Sequence, residues 1–252
     1  KECILKIELS KFKLRTLPSS FQLARVNKQK LLKITRVAKY LLFELNDWVM
    51  LSHLGMTGTW RIEEDVKKHD HVRIFLSSGR VLTYNDPRRF GMFDLIQKNK
   101  IEKDVRFASL GIDPVEGKDF SGQNLCSIFQ KSHVPAKAFI MNQKNMVGVG
   151  NIYASESLFL AGIHPLTPAS KLTESQINIL CKSIYAVLVD AIDCGGTTIS
   201  DFKQAGGSTG YFQNFLLVYG REKEACVFCE SMIQSQVIAQ RNSFWCPQCQ
   251  AL

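Results

Sequence analysis

The hydrophobic residues in the first half of the chain occur in many short runs. Examples are Tyr40–Leu45, Val49–Leu54 and Val72–Leu76, and the runs are separated by turn-forming stretches such as Asn46-Asp47. Short apolar runs bounded by Gly, Asn, Asp and Ser are typical of β-strands that are joined by turns. The pattern therefore predicts a β-rich domain over residues 1–116, folded as a β-sandwich or a β-barrel.

Beyond residue 116 the apolar positions take up the spacing of helices. Thr173-Glu174-Ser175-Gln176 is a capping-box sequence that predicts the start of a helix. Gly195-Gly196 is suited to end the same helix. Between them one helical face is apolar: Ile177, Leu180, Ile184, Val187, Leu188 and Ala191. Another helix is predicted directly after Gly148-Val149-Gly150-Asn151. These patterns predict a helical domain over residues 117–220.

Two Cys-x-x-Cys pairs stand near the end of the chain, Cys226/Cys229 and Cys246/Cys249, with sixteen residues between them. Four thiolates at this spacing are typical ligands of structural zinc, and disulfide bonds are the alternative. A ribbon this short has almost no apolar core, so the metal would supply most of its folding free energy. We predict a Zn²⁺-binding finger over residues 221–252, with a β-hairpin that presents Arg241 at its tip.

The composition indicates the kind of partner and the redox environment of the protein. The net charge is +9 at pH 7, and the first sixty residues hold eleven lysines and arginines but four acidic residues. A basic surface favours phosphate-rich partners, although a merely soluble basic protein is the alternative. The other four cysteines stand in apolar contexts typical of buried thiols in a reducing compartment. No apolar run reaches transmembrane length, so we expect a cytoplasmic protein without a membrane partner.

Two loops in the β-rich part carry side chains that could enter DNA. Asp86-Pro87-Arg88-Arg89-Phe90-Gly91 places two guanidinium groups beside an aromatic ring, in a loop that proline stiffens. An exposed Arg/Phe tip could fill the space left by a flipped nucleotide. His53-Leu54-Gly55-Met56-Thr57-Gly58 offers Met56 as a second wedge on a glycine-flanked turn. For each loop, an ordinary turn beside the core is the alternative.

Further candidates are an asparagine, a lysine and a histidine pair. Asn151 precedes a predicted helix, where backbone N–H groups and its amide could hold a phosphate, or where the glycines could form an ordinary turn. Lys39 lies in an otherwise apolar predicted strand, and could steer a phosphate, support Schiff-base chemistry or face solvent. His69 and His71 would share a strand face, which favours phosphate or structural hydrogen bonds over a metal pair.

Together, these motifs resemble those of the formamidopyrimidine-DNA glycosylases and occur in the same order. They are Lys39–Leu42, His53–Gly58, His69–Val72, Asp86–Gly91, Gly148–Glu156, Gly195–Thr198, Gly210–Phe212, Val218–Arg221 and the four cysteines. The resemblance covers essentially the whole chain. It implies an α+β multidomain fold with an N-terminal β-sandwich, a helix-two-turn-helix domain and a C-terminal zinc finger. The Met56 turn and the Arg-Phe pair are similar to the branch that acts on purine lesions.

The resemblance also implies an activity. Such a protein would be a base excision repair DNA glycosylase and AP lyase for oxidised purines, such as 8-oxoguanine and ring-opened formamidopyrimidines. It would flip the damaged nucleotide, cleave the glycosidic bond through a Schiff base and nick the strand by β,δ-elimination. Its partner would be double-stranded DNA with an oxidised purine or an abasic site. We expect a monomer in the cytoplasm, associated with the nucleoid.

Site residues follow from the resemblance position by position. Asn151 and Arg241 would contact the phosphates around the lesion, and Arg241 would also take part in elimination. His69 and Lys39 would contact the DNA backbone or assist the reaction, with Lys39 as a candidate catalytic amine.

The remaining implied DNA contacts would act on the bases. Met56, Arg88 and Phe90 would occupy the gap and contact the opposite strand. The loop 206–211, with Tyr211, would close over the extruded base.

One departure from the family pattern concerns the first residues. Family members begin with a mature N-terminal proline, whose secondary amine is the nucleophile, followed by a glutamate. This sequence begins with Lys1, and its first proline is Pro18. We therefore expect these 252 residues to bind lesion-bearing DNA without normal glycosylase activity. The alternative function is that of a non-catalytic zinc protein that binds damaged DNA.

Overall fold

The computed structural model describes residues 2–197 and 210–252, which divide into two compact units. The first unit, called the β unit, contains the described residues up to Ala108. The second unit, called the helix–finger unit, contains Ser109–Gly196 and Tyr211–Leu252.

The β unit is a sandwich of two antiparallel sheets in its described residues. Its strands are β1 (Glu2–Leu9), β2 (Lys30–Leu31), β3 (Lys33–Val37), β4 (Tyr40–Glu44), β5 (Trp48–His53), β6 (Thr59–Ile62), β7 (Asp70–Leu76), β8 (Val81–Asn85) and β9 (Met92–Gln97). One sheet has the strand order β2-β1-β7-β8-β6, and the other has the order β3-β4-β5-β9. A short helix, α1 (Ser20–Ala24), begins at a capping box formed by Ser19. The predicted β-sandwich is therefore confirmed.

The core of the β unit lies between the two sheets. Along β7 the side chains of Val72, Ile74 and Leu76 are buried, because alternate residues of a strand face the same side. They pack in one cluster with residues of the other sheet, including Phe43 and Phe93. This packing places the ends of β5 and β8, and the loops that follow them, on a rigid support.

Four helices build the helical part of the helix–finger unit. They are α2 (Gly122–Gln130), α3 (Ala136–Met141), α4 (Asn151–Leu160) and α5 (Glu174–Asp193). Thr173 caps α5 as predicted: its hydroxyl accepts from the Gln176 backbone N–H at 3.2 Å. Gly195 and Gly196 follow the helix with φ angles of 72° and 94°, values that glycine adopts without strain. By length and composition α5 could cross a membrane, but its apolar face is buried in the core of this unit.

The finger contains the hairpin β10 (Gln234–Ile238) and β11 (Arg241–Trp245). Its core is shared with helix α4, because Phe159 packs against Cys226, Phe244 and their neighbours. The Gln250 side chain adds a polar link: it donates to the Ile163 carbonyl at 2.7 Å and accepts from the Cys246 N–H at 3.0 Å. The predicted domain boundaries at residues 116 and 220 stay predictions.

Candidate metal centre and nucleic-acid interface

The four cysteines of the finger form a cluster in which all Sγ atoms lie within 4.8 Å of one another. The Sγ atoms of Cys226 and Cys249 are 3.9 Å apart, and those of Cys229 and Cys246 are 3.4 Å apart. A disulfide bond requires about 2.05 Å between sulfurs. Four Zn–S bonds of about 2.3 Å in a tetrahedron place the sulfurs roughly 3.8 Å apart. The four thiols therefore fit zinc and do not form disulfides.

Hydrogen bonds prepare these thiols for a metal. The backbone N–H groups of Phe228 and Cys249 donate to the Sγ atoms of Cys226 and Cys246 at 3.5 and 3.4 Å. Bonds of this kind orient the ligands of a metal site. Hydrogen bonds from Ser231 lower the pKa of the Cys229 thiol to about 6, whereas burial raises the pKa of the Cys246 and Cys249 thiols.

Arg241 is exposed, but it does not lie at the tip of the hairpin as the sequence predicted. The tip is Ala239-Gln240, whose φ angles of 47° and 60° are both in the left-handed region. A two-residue loop with this backbone is the turn that matches the twist of a hairpin. Arg241 is instead the first residue of β11 and is paired with Ile238. Its position is therefore set by the strand and by what holds that strand.

Asn151 helps to hold that strand. It is the first residue of α4, and its Nδ2 donates to the carbonyl of Asn242 at 3.0 Å and to the hydroxyl of Tyr219 at 3.5 Å. Among the described residues its Oδ1 is buried and without a hydrogen-bond partner. The structure thus brings Asn151 beside the Arg241–Asn242 backbone, as the predicted shared site requires. Its amide N–H is already used within the protein.

A buried carboxylate fixes the segment that leads into the finger. Glu156 of α4 accepts from the backbone N–H groups of Leu217, Val218 and Tyr219 at 2.8, 3.1 and 2.8 Å. Burial raises the pKa of Glu156, and these three bonds oppose that shift. The link explains why the Gly148–Glu156 and Val218–Arg221 motifs occur together.

In the β unit, one fully buried carboxylate ties together the two loops that carry the wedge residues. Asp86 accepts from the Thr57 hydroxyl at 2.6 Å, from the Gly91 N–H at 2.8 Å and from the Arg88 N–H at 3.2 Å. Thr57 belongs to the turn of Met56. The Met56 turn and the Arg88–Phe90 loop are therefore held against each other.

Three glycines allow this close packing. A Cβ atom on Gly55 would lie 2.7 Å from the Gly91 nitrogen, and φ of Gly55 is +66°. A Cβ atom on Gly58 or on Gly91 would lie 2.1 or 1.8 Å from the Tyr84 hydroxyl oxygen. No other residue fits these positions without displacing backbone or a buried ring.

The packed loops leave their wedge side chains in solvent. Met56 and Phe90 are 60% and 51% exposed. The guanidinium carbon of Arg88 lies 5.0 Å from the centroid of the Phe90 ring, a cation–π contact. The structure brings these three predicted residues together on one rigid support.

Lys39 lies in the turn between β3 and β4, and not within a strand as predicted. The next residue, Tyr40, pairs with His53 across β4 and β5. Burial lowers the pKa of His53, and the charges of Lys39 and Arg15 lower it further. The side chains of Arg15, Lys39 and His53 therefore form a basic cluster. His53 and Arg15 were not proposed from the sequence as site residues, because their proximity depends on strand pairing.

His69 and His71 do not share a strand face, contrary to the prediction. His69 precedes β7 with a left-handed φ of 73°, which turns the chain. His71 is buried, and its two ring nitrogens contact the Ser10 hydroxyl and the Asp86 carbonyl, each at 3.0 Å. His71 is therefore structural. Both histidines line a surface cavity of about 350 Å³, together with Phe12, Lys68, Pro87 and Arg89.

Tyr211 is 60% exposed, and the next residue, Phe212, is buried and contacts Tyr153. The predicted closing loop 206–211 lies outside the described residues except for Gly210 and Tyr211.

The structure combines a β-sandwich, a helical domain and a four-cysteine cluster, and it exposes Met56, Arg88 and Phe90 on loops that a buried carboxylate holds. Three family profiles match the chain: the formamidopyrimidine-DNA glycosylase N-terminal domain over residues 1–93, its H2TH domain over residues 110–203, and the zinc finger found in FPG and IleRS over residues 223–252.

Two relatives agree with these profiles. The formamidopyrimidine-DNA glycosylase of Bdellovibrio bacteriovorus is 45% identical over 97% of this chain and 90% of its own length. That of Pasteurella multocida is 42% identical over 98% of this chain and 91% of its own length.

Solved structures agree as well. A Lactococcus lactis FPG mutant in complex with Fapy-dG-containing DNA is 33% identical and superimposes with a TM-score of 0.91. The Lactococcus lactis Fpg in complex with DNA that contains an abasic site is 31% identical, with a TM-score of 0.88. Each comparison covers 100% of this chain and 93% of the other.

The chain belongs to the formamidopyrimidine-DNA glycosylase family. The predicted resemblance, the α+β multidomain fold and Zn²⁺ as the bound metal are confirmed. Membership of this family makes the protein a DNA glycosylase and AP lyase of base excision repair. The alternative of a non-catalytic binder of damaged DNA is not better supported.

Proposed function

We propose that this glycosylase excises oxidised purines from double-stranded DNA and cleaves the strand at the resulting abasic site. The proposal rests on three exposed side chains, those of Met56, Arg88 and Phe90, whose loops are held by one buried carboxylate. A base-flipping protein requires such exposed side chains on fixed loops. Extruding a base costs a few kcal/mol of stacking and pairing. Side chains that enter the gap from loops already held in place offset that cost without the loops being ordered on binding.

Phosphate contacts come from each of the two units. In the helix–finger unit, the N-terminus of α4 lies beside the backbone of Asn242, the residue that follows the exposed Arg241, and both can supply positive charge to a phosphate. In the β unit, Lys39 lies close to His53, and His69 lies beside Lys68 and Arg89. Such contacts position the duplex and carry no sequence information.

The residue roles in catalysis are also part of the proposal. The Arg241 guanidinium offers several N–H donors in a planar fork, so it can bind the phosphate that departs during elimination. Lys39 is the candidate amine for Schiff-base chemistry among the residues of this chain. Tyr211, as the last residue of the loop 206–211, would close with that loop over the extruded base. The proposal places the reaction in the cytoplasm, on nucleoid DNA, with a monomeric enzyme, and the bacterial origin of the relatives supports this location.

Binding to three 20-mer duplexes tests the wedge: one intact, one with 8-oxoguanine opposite cytosine and one with an abasic-site analogue. We expect the abasic duplex to bind at least tenfold more tightly than the intact one, since its missing base lowers the cost of extrusion. Met56→Ala, Arg88→Ala and Phe90→Ala should reduce this preference. Val66→Ala, which truncates an equally exposed apolar residue, should leave it unchanged. Equal affinity for the three duplexes would overturn the proposal.

Covalent chemistry is tested by borohydride reduction on the 8-oxoguanine duplex. A trapped complex that Lys39→Met abolishes assigns the Schiff base to Lys39. A trapped complex that survives in Lys39→Met removes Lys39 from the catalytic residues and leaves it as a backbone contact.

A further inference from the structure

Lys137 is a fully buried lysine to which the sequence assigned no role. It lies in the short helix α3 and is 1% exposed. Its Nζ donates to the Ser243 hydroxyl at 2.7 Å and to the Asn242 carbonyl at 3.2 Å. Among the described residues it forms no ion pair. Burying an ammonium group is costly, and a methionine of similar length would pack there without that cost.

The contacts of Lys137 all lead to the backbone around Arg241. The Ser243 hydroxyl that accepts from Lys137 donates in turn to the Arg241 carbonyl at 3.1 Å. The Asn242 carbonyl accepts from both Lys137 and Asn151, at 3.2 and 3.0 Å. A carbonyl oxygen has two lone pairs, so two donors from two helices use its full capacity.

These bonds fix the segment 241–243 in both position and rotation. A donor from α3 and a donor from α4 reach the same peptide from different helices. The hairpin adds its strand pairing with β10 and the bond from Ser243 to the Arg241 carbonyl. The Arg241 side chain is exposed, and among the described residues its guanidinium donates one hydrogen bond, to the neighbouring Gln240 carbonyl at 3.2 Å. Its location therefore depends on the backbone that Lys137 and Asn151 hold.

We infer that Lys137 is a positioning residue for DNA binding: from inside the helical domain it sets the β11 backbone so that Arg241 meets a DNA phosphate. The inference rests on the proposed function, since it needs Arg241 to contact DNA. It assigns Lys137 no contact with DNA, because the side chain is enclosed by protein.

A double-mutant cycle tests the inference on the zinc-loaded protein. The variants are Lys137→Met, Arg241→Ala and the two combined, with Lys182→Met as a control that removes an exposed lysine from α5. Affinity for the abasic-analogue duplex is measured over a range of salt concentrations. We expect Lys137→Met to weaken binding about tenfold and to lower the salt dependence by about one counterion, as a lost phosphate contact does.

The combined variant shows whether Lys137→Met weakens DNA binding through Arg241 or independently of Arg241. If Lys137 acts through Arg241, then Lys137→Met should add little to the loss already caused by Arg241→Ala. Additive losses, or an unchanged salt dependence in Lys137→Met, would overturn the inference. Lys182→Met should lower the affinity much less than Lys137→Met.

Two further measurements keep the test decisive. Zinc content and the thermal transition show whether Lys137→Met remains folded. If it does not, Ser243→Ala removes the link to the Arg241 carbonyl, and its expected loss of about threefold should also vanish in the Arg241→Ala background. Should the unmodified protein bind intact and abasic duplexes equally, the proposed function fails whatever the cycle shows. A clear preference for abasic DNA with an additive cycle refutes only the role of Lys137.

Discussion

Two arginines on rigid supports invite comparison: Arg88 in the β unit and Arg241 in the helix–finger unit. The Arg88 loop is fixed by a buried acid, Asp86, which accepts the Arg88 N–H from two residues away. The Arg241 strand is fixed by a buried base, Lys137, which lies more than a hundred residues away in sequence. One arginine carries its anchor within its own loop. The other depends on the assembly of a whole unit.

The difference has a consequence for stability. Local anchoring of Arg88 survives as long as the β sandwich is folded. Arg241 needs the four thiols to hold the finger, the Phe159 cluster to attach it to α4, and the Lys137 and Asn151 side chains to set its strand. A change anywhere in that chain of contacts should move Arg241 and leave Arg88 unaffected.

Removal of zinc should have the largest effect and should separate the two regions. Cys246→Ser, or a chelator, removes a ligand from the cluster, and the loss of zinc takes with it most of the folding free energy of the finger. We expect DNA affinity to fall by at least a hundredfold, with hydrogen exchange rising in the finger and in α4, because they share a core. The β sandwich should keep its protection. Zinc release without any loss of affinity would contradict the dependence of Arg241 on the finger.

Asp86→Ala should damage the other region. It leaves the Thr57 hydroxyl and the N–H groups of Gly91 and Arg88 without their acceptor in a buried site. We expect a loss of about 3 kcal/mol in the free energy of unfolding of the β unit, measured by urea denaturation. Asp86→Asn, which retains one acceptor oxygen, should lose less. An unchanged stability in Asp86→Ala would show that the loops are held by packing alone.

The two arginines should differ in what their removal does to binding. Arg241→Ala should weaken binding to every duplex about tenfold and lower the salt dependence by about one counterion. Arg88→Ala should mainly reduce the preference for abasic over intact DNA. Arg80→Ala, which removes an exposed arginine paired with Glu2, serves as the control. Identical salt dependence in Arg241→Ala and the unmodified protein would remove Arg241 from the phosphate contacts.

A pH series gives the smallest and most specific effect. Burial lowers the pKa of Lys137 from 10.5 to about 8. Between these values the unfolded chain binds a proton that the folded chain does not, so this group makes the free energy of unfolding rise with pH. From about pH 8 to pH 10, the free energy of unfolding of the unmodified protein should therefore increase relative to that of Lys137→Met. A constant difference would mean that Lys137 is not enclosed as described.

The same contrast explains what the sequence could predict. The Arg88 loop was identified because proline, glycine and the paired arginines are adjacent in sequence, and the zinc ligands because their spacing is short and regular. The role of Lys137 could not be predicted, since only the tertiary fold brings α3 to β11. His69 was misplaced because a left-handed residue before a strand breaks the alternation. Arg241 was placed at the tip because Ala239-Gln240 lacks the Asn-Gly signal of such turns.

The Asp86 carboxylate accepts from the hydroxyls of Thr57 and Tyr84 and from backbone N–H groups. Within the described part of the chain it accepts from none of the side chains that the two loops expose. Met56, Arg88 and Phe90 can therefore be exchanged for other residues while the framework beneath them persists. Substitutions at these three positions can change DNA recognition without unfolding the loops. The preference between lesions, or between opposite bases, can therefore evolve or be engineered there.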